Sequence, residues 1–225
     1  MKPHLALFDL DHTLLPLDSD YAWGEFTLRL GWNDPAVFKR RNDEFFADYQ
    51  AGRLDIHEYV RFATEAVRVR GRTVAEAAHQ QFVHEVIRPA LRPAALDLVQ
   101  KHRALGHRLL IVTATNEFVT RPIAALFGVD ELIAVELERD ATGWITGEIA
   151  GIPSMREGKV RRLQQWLSAQ GWDWPDVETT FYSDSTNDLP LLGRVDHPVA
   201  TNPDERLRAE AQQRGWPILE LFAHS

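Results

Sequence analysis

Small polar or acidic clusters stand where three apolar runs stop. Asp9-Leu10-Asp11-His12-Thr13-Leu14 follows Leu5-Ala6-Leu7-Phe8, and Thr113-Ala114-Thr115-Asn116 follows Leu109-Leu110-Ile111-Val112. Ser183-Asp184-Ser185-Thr186-Asn187-Asp188 closes the third run, and Gly158-Lys159 opens an amphipathic stretch between the last two. If Asp9, Asp11, Asp184 and Asp188 converge, their charges repel, and the cluster needs a cation at neutral pH. Carboxylates without His or Cys call for a hard ion, and Mg²⁺ is the expected one. Thr113, Lys159 and exposed backbone N–H groups nearby suit a phosphate. The chemistry indicated is Mg²⁺-assisted phosphoryl transfer.

The elements that must position these residues follow from the patterning. Leu5–Phe8 is a continuous apolar run, as in a strand buried on both faces of a parallel sheet. From residue 17 to 89 four helical patterns succeed one another, separated by Gly31, Gly52 and Gly71. Asp34-Pro35 reads as an N-cap with proline at the first helical position, and Asp55-x-x-Glu58 and Thr73-x-x-Glu76 as capping boxes. From Pro93 onward helix and strand alternate. The expected elements are a helix over 94–105, a strand over 108–113 and a helix from Asn116, in which Pro122 should cost a hydrogen bond or cause a kink. Strands over 132–137 and 144–149 flank a turn at Asp140–Gly143 and read as a hairpin. A helix with Val160, Leu163 and Leu167 on one face follows, then strands over 179–183 and 198–201. Such alternation predicts a right-handed α/β sheet with ligands at the carboxyl ends of its strands.

Composition narrows the function classes. The 225 residues carry no cysteine, which excludes a disulfide framework, a thiolate metal site and a cysteine nucleophile. A reducing cytoplasm is the expected compartment. The 33 acidic against 25 basic residues, a net charge of −8, argue against nucleic-acid and anionic-membrane partners. No apolar run is long enough to span a bilayer, and Asp9 and Asp11 interrupt the stretch that a signal peptide would need. Nothing in the sequence fixes an oligomeric state.

Asp9-x-Asp11-x-Thr13-Leu14, Thr113, Lys159 and Asp184-x-x-x-Asp188 resemble, in order and spacing, the motifs of the haloacid dehalogenase superfamily. The resemblance covers essentially the whole chain. The helical stretch is similar to the cap of the phosphoserine-phosphatase-like branch, and the interval from Thr113 to Lys159 is too short for the alternative second cap. The resemblance implies an α/β fold: a Rossmann-like three-layer parallel-sheet core formed by 1–16 and 90–225, interrupted by an all-helical cap over 17–89. It implies that Asp9 is the nucleophile and forms an aspartyl-phosphate, with Asp11 as acid and then base. It also implies that Mg²⁺ is held by the Asp9 side chain, the Asp11 backbone carbonyl and Asp184, with Asp188 in the outer shell. Thr113 and Lys159 would hold the phosphoryl oxygens, and Asn187 would add a contact to substrate or water. The cap would open and close about 15–17 and 88–93.

Substrate choice in this branch belongs to the cap. A gap-free count from Asp9 puts the family's amine-binding acid at Asp18, with Asp20 and Glu25 nearby. Aligning Gly52-Arg53-Leu54 with the family's cap turn puts Ala63 where an arginine would meet a serine carboxylate, and Arg61, two residues away, lies on another helix face, about 200° round. An amine-bearing small-molecule phosphomonoester without a carboxylate fits better, such as histidinol phosphate. Asp18 to Phe26 also resembles the histidinol-phosphatase-like branch. The alternatives are a phosphoserine phosphatase, a phosphomutase or phosphotransferase, and a non-catalytic phospho-ligand-binding module. His12 reads as a backbone-positioning residue, His79 and His84 share no helix face well, and Trp172 and Trp174 read as a packed loop.

Overall fold

The computed structural model of the chain describes residues 2–51 and 53–222, so the expected helix break at Gly52 lies outside the described residues. Its strands are β1 (His4–Phe8), β2 (Arg108–Asn116), β3 (Glu131–Val135), β4 (Leu137–Arg139), β5 (Ile145–Ile149), β6 (Glu178–Ser183), β7 (His197–Thr201) and β8 (Ile218–Leu219). Between β1 and β2 run α1 (Ser19–Arg29), α2 (Pro35–Gln50), α3 (Ile56–Arg70), α4 (Arg72–Phe82), a π-helical stretch at Val83–Ile87, α5 (Arg88–Ala90) and α6 (Pro93–Ala104). The later helices are α7 (Glu117–Leu126), α8 (Glu157–Ala169), α9 (Leu189–Leu192) and α10 (Glu205–Arg214).

Six strands form a parallel sheet in the order β3-β2-β1-β6-β7-β8, with β1 at the centre between β2 and β6. The period of two along β1 divides the interior. Leu5 and Leu7 face one apolar layer with Leu163 and Leu167 of α8, Leu191 and Leu192 of α9, and Leu207 of α10. Ala6 and Phe8 face the other, with Ala95 and Val99 of α6 and Val119 and Ile123 of α7. The three-layer α/β expectation is met.

Every described element between β1 and α6 is helical. Asp34 caps α2 by accepting from Ala36 and Val37 N–H (2.9 and 3.0 Å), and Asp55 caps α3 by accepting from His57 and Glu58 N–H (2.9 and 3.1 Å). The box expected at Thr73 does not form. Gly71, at φ 76°, both ends α3 and starts α4, so Thr73 already lies inside the helix. α2 and α3 pack Phe38, Phe45 and Phe62 against one another, but most of the buried side chains of these helices belong to the main core. Trp23, Phe26, Val60, Val67, Ala75 and Phe82 join the same apolar cluster as Phe8 and Ile111.

The expected strand over 132–137 divides at Glu136. Residues up to Val135 pair with β2 in the main sheet, while Leu137 starts the β4–β5 hairpin. This hairpin braces α3. Arg61 pairs with Glu148 (3.1 Å), Arg72 donates to the Thr142 carbonyl (3.2 Å), and a Cβ on Gly147 would meet Arg68 at 2.6 Å. α7 runs through Pro122, capped by Asn116, whose side chain accepts from Val119 N–H (3.2 Å). α10 and β8, beyond the last expected strand, complete the sheet edge.

Candidate active site

The carboxyl ends of β1, β2 and β6 open into one cavity of about 650 Å³. Its floor contains Asp9, Asp11, Thr113, Lys159, Asp184, Asn187 and Asp188, and its wall includes Asp18. These eight candidate site residues therefore share a single space.

Asp9 extends β1 by one rung, its N–H donating to the Tyr182 carbonyl (2.9 Å). The chain then turns back, with Leu14 and Leu15 N–H both donating to the Leu10 carbonyl (2.9 and 3.0 Å). This turn needs His12 at φ 55°, a left-handed conformation that is costly for a residue with a Cβ. Asn202 holds the turn by donating from Nδ2 to the His12 and Thr13 carbonyls (2.9 and 3.2 Å). His12 thus serves through its backbone. Thr13 is fully buried, and its hydroxyl lies 3.1 Å from both Asp9 Oδ2 and Asp184 Oδ1.

β2 supplies its hydroxyls through a register shift. Val112 pairs with Ile133, yet Asn116 pairs with Val135, so residues 113–115 bulge towards the cavity. Thr113 is held by Thr115 N–H donating to its Oγ1 (3.1 Å) and by Ser154 Oγ donating to its carbonyl (2.6 Å). Thr115 donates its hydroxyl to Asp11 Oδ2 (2.8 Å), and Ser19 N–H at the start of α1 donates to Asp11 Oδ1 (2.8 Å). Burial, with the Asp18 charge adding, pushes Asp11 up to about 6. That places it where one carboxyl can both give and take a proton near neutral pH.

Lys159 enters from the first turn of α8. Gly158 is obligatory there, because a Cβ would lie 1.9 Å from the Pro153 carbonyl oxygen. Arg156 caps this helix at φ 53° and ψ −123°, another strained position beside the site. Lys159 is 2% exposed and donates to Asp9 Oδ1 and Asp188 Oδ2, both at 2.7 Å. Burial opposes its charge, but the two carboxylates outweigh burial and raise it. Asp188 also accepts from Ser183 Oγ (2.7 Å) and makes no capping bond to α9. One cation thus serves two desolvated carboxylates, so burial raises both Asp9 and Asp188. Asp184 is pushed well up by burial first and then by Asp9 and Asp188.

This imbalance is the test of the metal. Two hard oxygen donors, Asp9 and Asp184, flank Thr13, and Lys159 is shared between Asp9 and Asp188, which fits a small divalent cation such as Mg²⁺. Among the described residues no group of three His, Cys, Asp or Glu side chains is placed to hold a metal. A set of two carboxylates and the Asp11 carbonyl requires no third side chain.

A profile of haloacid dehalogenase-like hydrolases matches residues 6–193. The chain belongs to that family. It is 42% identical over 219 residues to the histidinol-phosphatase of Neisseria meningitidis serogroup C, covering 97% of this chain and 99% of the relative. A crystal structure of a protein of unknown function from Bordetella pertussis Tohama I superposes with a TM-score of 0.93 at 48% identity, covering 99% of this chain and 100% of that one. A substrate-bound phosphoserine phosphatase shares the fold alone, with a TM-score of 0.66 at 16% identity and coverage of 97% and 93%. This hydrolase is a phosphatase.

The wall of the phosphatase cavity differs from its floor. Tyr21, Asn42, Phe45, Phe46, Tyr49 and Tyr59 line it, with Asp18 and Asp20. Asp18 spends Oδ1 as the N-cap of α1, accepting from Tyr21 N–H (2.9 Å). Among the described residues, no Lys or Arg from 17–89 lines the cavity. Arg61 turns instead to Glu148. Tyr49, which no motif marks, reaches Asn187 from α2; burial, with the Asp188 charge adding, pushes its hydroxyl up to about 12. Arg156 Nε donates to Asn187 Oδ1 (3.2 Å), so Asn187 is clasped between floor and wall. Asn202 also escaped the motif reading; an Asn-Pro pair just past a strand was its only signal.

Proposed function

We propose that the chain is a Mg²⁺-dependent phosphatase for an amine-bearing phosphomonoester without a carboxylate, such as histidinol phosphate. The observation that carries this reading is that, among the described residues, no Lys or Arg from 17–89 lines a cavity whose opposite side holds Lys159. A substrate carboxylate there would meet Asp18 and Asp20 and no cation, whereas an ammonium group meets charge of the right sign. The histidinol-phosphatase name of the Neisseria relative supports the same reading.

Asp9 attacks phosphorus, the bond to the ester oxygen breaks, and an aspartyl-phosphate forms. Asp11 gives its proton to the departing alkoxide, then takes one from the water that attacks the aspartyl-phosphate. Phosphate leaves and Asp9 is restored. Asp11 is already oriented for this by Ser19 N–H and the Thr115 hydroxyl. Lys159 and the Thr113 hydroxyl offset and orient the phosphoryl oxygens. When bound by Asp9, the Asp11 carbonyl and Asp184, with Asp188 behind them, Mg²⁺ supplies the charge that lets an anionic ester approach an anionic nucleophile. Asn187 contacts substrate or water, and Asp18 lends charge at the mouth. Residues 17–89 act as the cap that excludes water over this site.

A phosphate-release panel with Mg²⁺ tests the reading. Histidinol phosphate should give the highest kcat/KM, above phosphoserine and sugar phosphates, and chelator should abolish turnover. Preference for phosphoserine, or indifference to chelator, would overturn it.

A further inference from the structure

Asp20 is a carboxylate of the cavity wall that the catalytic steps do not use. Asp20, on the first turn of α1, lines the cavity beside Tyr59 of α3. The Tyr59 hydroxyl donates to Asp20 Oδ2 at 2.5 Å, and Asn116 Nδ2 at the end of β2 approaches Oδ1 at 3.4 Å. Three separate elements therefore fix this carboxylate. Phe45 of α2 packs edge-on against the Tyr59 ring at 5.3 Å between centroids and is itself buried. Among the described residues no Lys or Arg side chain bonds to Asp20. Its partners are a neutral phenol and a neutral amide, and the nearby charged groups are Asp11 and Asp18.

We infer that Asp20, oriented by Tyr59, is the residue that selects the substrate's cationic amine. Asp18 carries the same charge but differs in setting. It is committed to Tyr21 N–H as a helix cap and is more open to solvent, where charge is screened. Asp20 lines the cavity with Phe45 and Tyr59, where a charge pair is stronger, and none of the described residues supplies a cation to neutralise it. An ammonium group that enters with the substrate supplies that cation. Each remaining lone pair on Asp20 can accept an N⁺–H bond without disturbing Tyr59. The aromatic edge formed by Phe45 and Tyr59 offers a flat apolar surface to the rest of the leaving group. This inference rests on the amine-bearing substrate proposed above and names the residue that reads it.

The experiment compares histidinol phosphate with its deamino analogue, using the full chain with Mg²⁺. The quantity read is the ratio of their kcat/KM values, so the deamino ester serves as the internal reference in every variant. In the unmodified protein the ratio should be about 30 or more. Asp20→Asn should bring it close to one, chiefly through KM for the amine ester. Tyr59→Phe should lower it roughly five-fold and Asp18→Asn roughly three-fold, since the first loosens Asp20 and the second removes charge at a distance. A ratio kept in Asp20→Asn, or lost more completely in Asp18→Asn, would overturn the assignment while leaving the substrate reading intact. A ratio near one in the unmodified protein would overturn the substrate reading itself, and the assignment with it.

Discussion

The floor and the wall of the cavity treat charge in opposite ways. On the floor, Lys159 lies 2.7 Å from each of two carboxylates, and Ser183, Thr13 and backbone groups satisfy the remaining oxygens. On the wall, Asp20 is desolvated, and its hydrogen-bond partners among the described residues are neutral. In the proposed reading the floor takes a metal and a phosphate, and the wall takes the substrate's cation. In that reading, catalysis draws on the strand ends and the first turn of α8, and selectivity on α1 to α3.

The largest expected effect breaks the floor alone. Asp9→Asn should lower turnover of both p-nitrophenyl phosphate and histidinol phosphate by at least about 10⁴-fold, as loss of a nucleophile does. Phosphate-release assays check this, and activity retained for either ester would contradict the role of Asp9. Lys159→Met should cost about 10²–10³-fold in kcat for both esters alike. It also strands Asp9 and Asp188 without their cation, so urea unfolding should show a loss of about 3 kcal/mol.

The metal half of the floor can be read without turnover. Mg²⁺ at a hundredfold excess over its Kd should stabilise the protein by about 2.7 kcal/mol, seen as a rise in Tm. Asp184→Asn should abolish most of that rise, whereas Asp20→Asn should keep it.

The smallest effect sharpens the wall. Burial raises Asp20 to about 7, above its value in the unfolded chain. Stability from the protonated form is therefore full at low pH and is lost as pH rises through 7. Asp20→Asn does not titrate, so without Mg²⁺ it should exceed the parent in stability at pH 8 by on the order of 2 kcal/mol, partial solvent contact limiting the gain, and by little at pH 4. His79 runs the other way. Buried against the Val119 carbonyl, it is lowered to about 4, so its contribution is full above 6.5 and is lost as pH falls towards 4. Melts across pH 4–8 for the parent, Asp20→Asn and His79→Gln separate the two windows.

The same contrast explains what was legible in the sequence. Leu5–Phe8 fixes a strand, and a strand fixes where the next few residues go, so Asp9, Asp11, Thr113 and Asp184 could be assembled from motif order alone. Lys159 could be found because Gly158 precedes it, and the contact with Pro153 supplies the reason. Tyr49, Tyr59 and Phe45 carry no motif. They meet the site through the packing of α2 on α3, where Phe45 contacts Tyr59 and Phe62. The hairpin strand was misjudged at Glu136 because an apolar run does not announce which of two sheets it joins. The Thr73 box failed because Gly71 takes both helix ends.

Competition between two substrates tests the central claim most directly. Equimolar histidinol phosphate and phosphoserine, mixed with the full chain and Mg²⁺ and followed by phosphorus NMR, report the ratio of the two kcat/KM values in a single tube. A wall with acids and no cation predicts that histidinol phosphate is consumed first, by a factor of at least about 30. Equal consumption, or phosphoserine first, would contradict it.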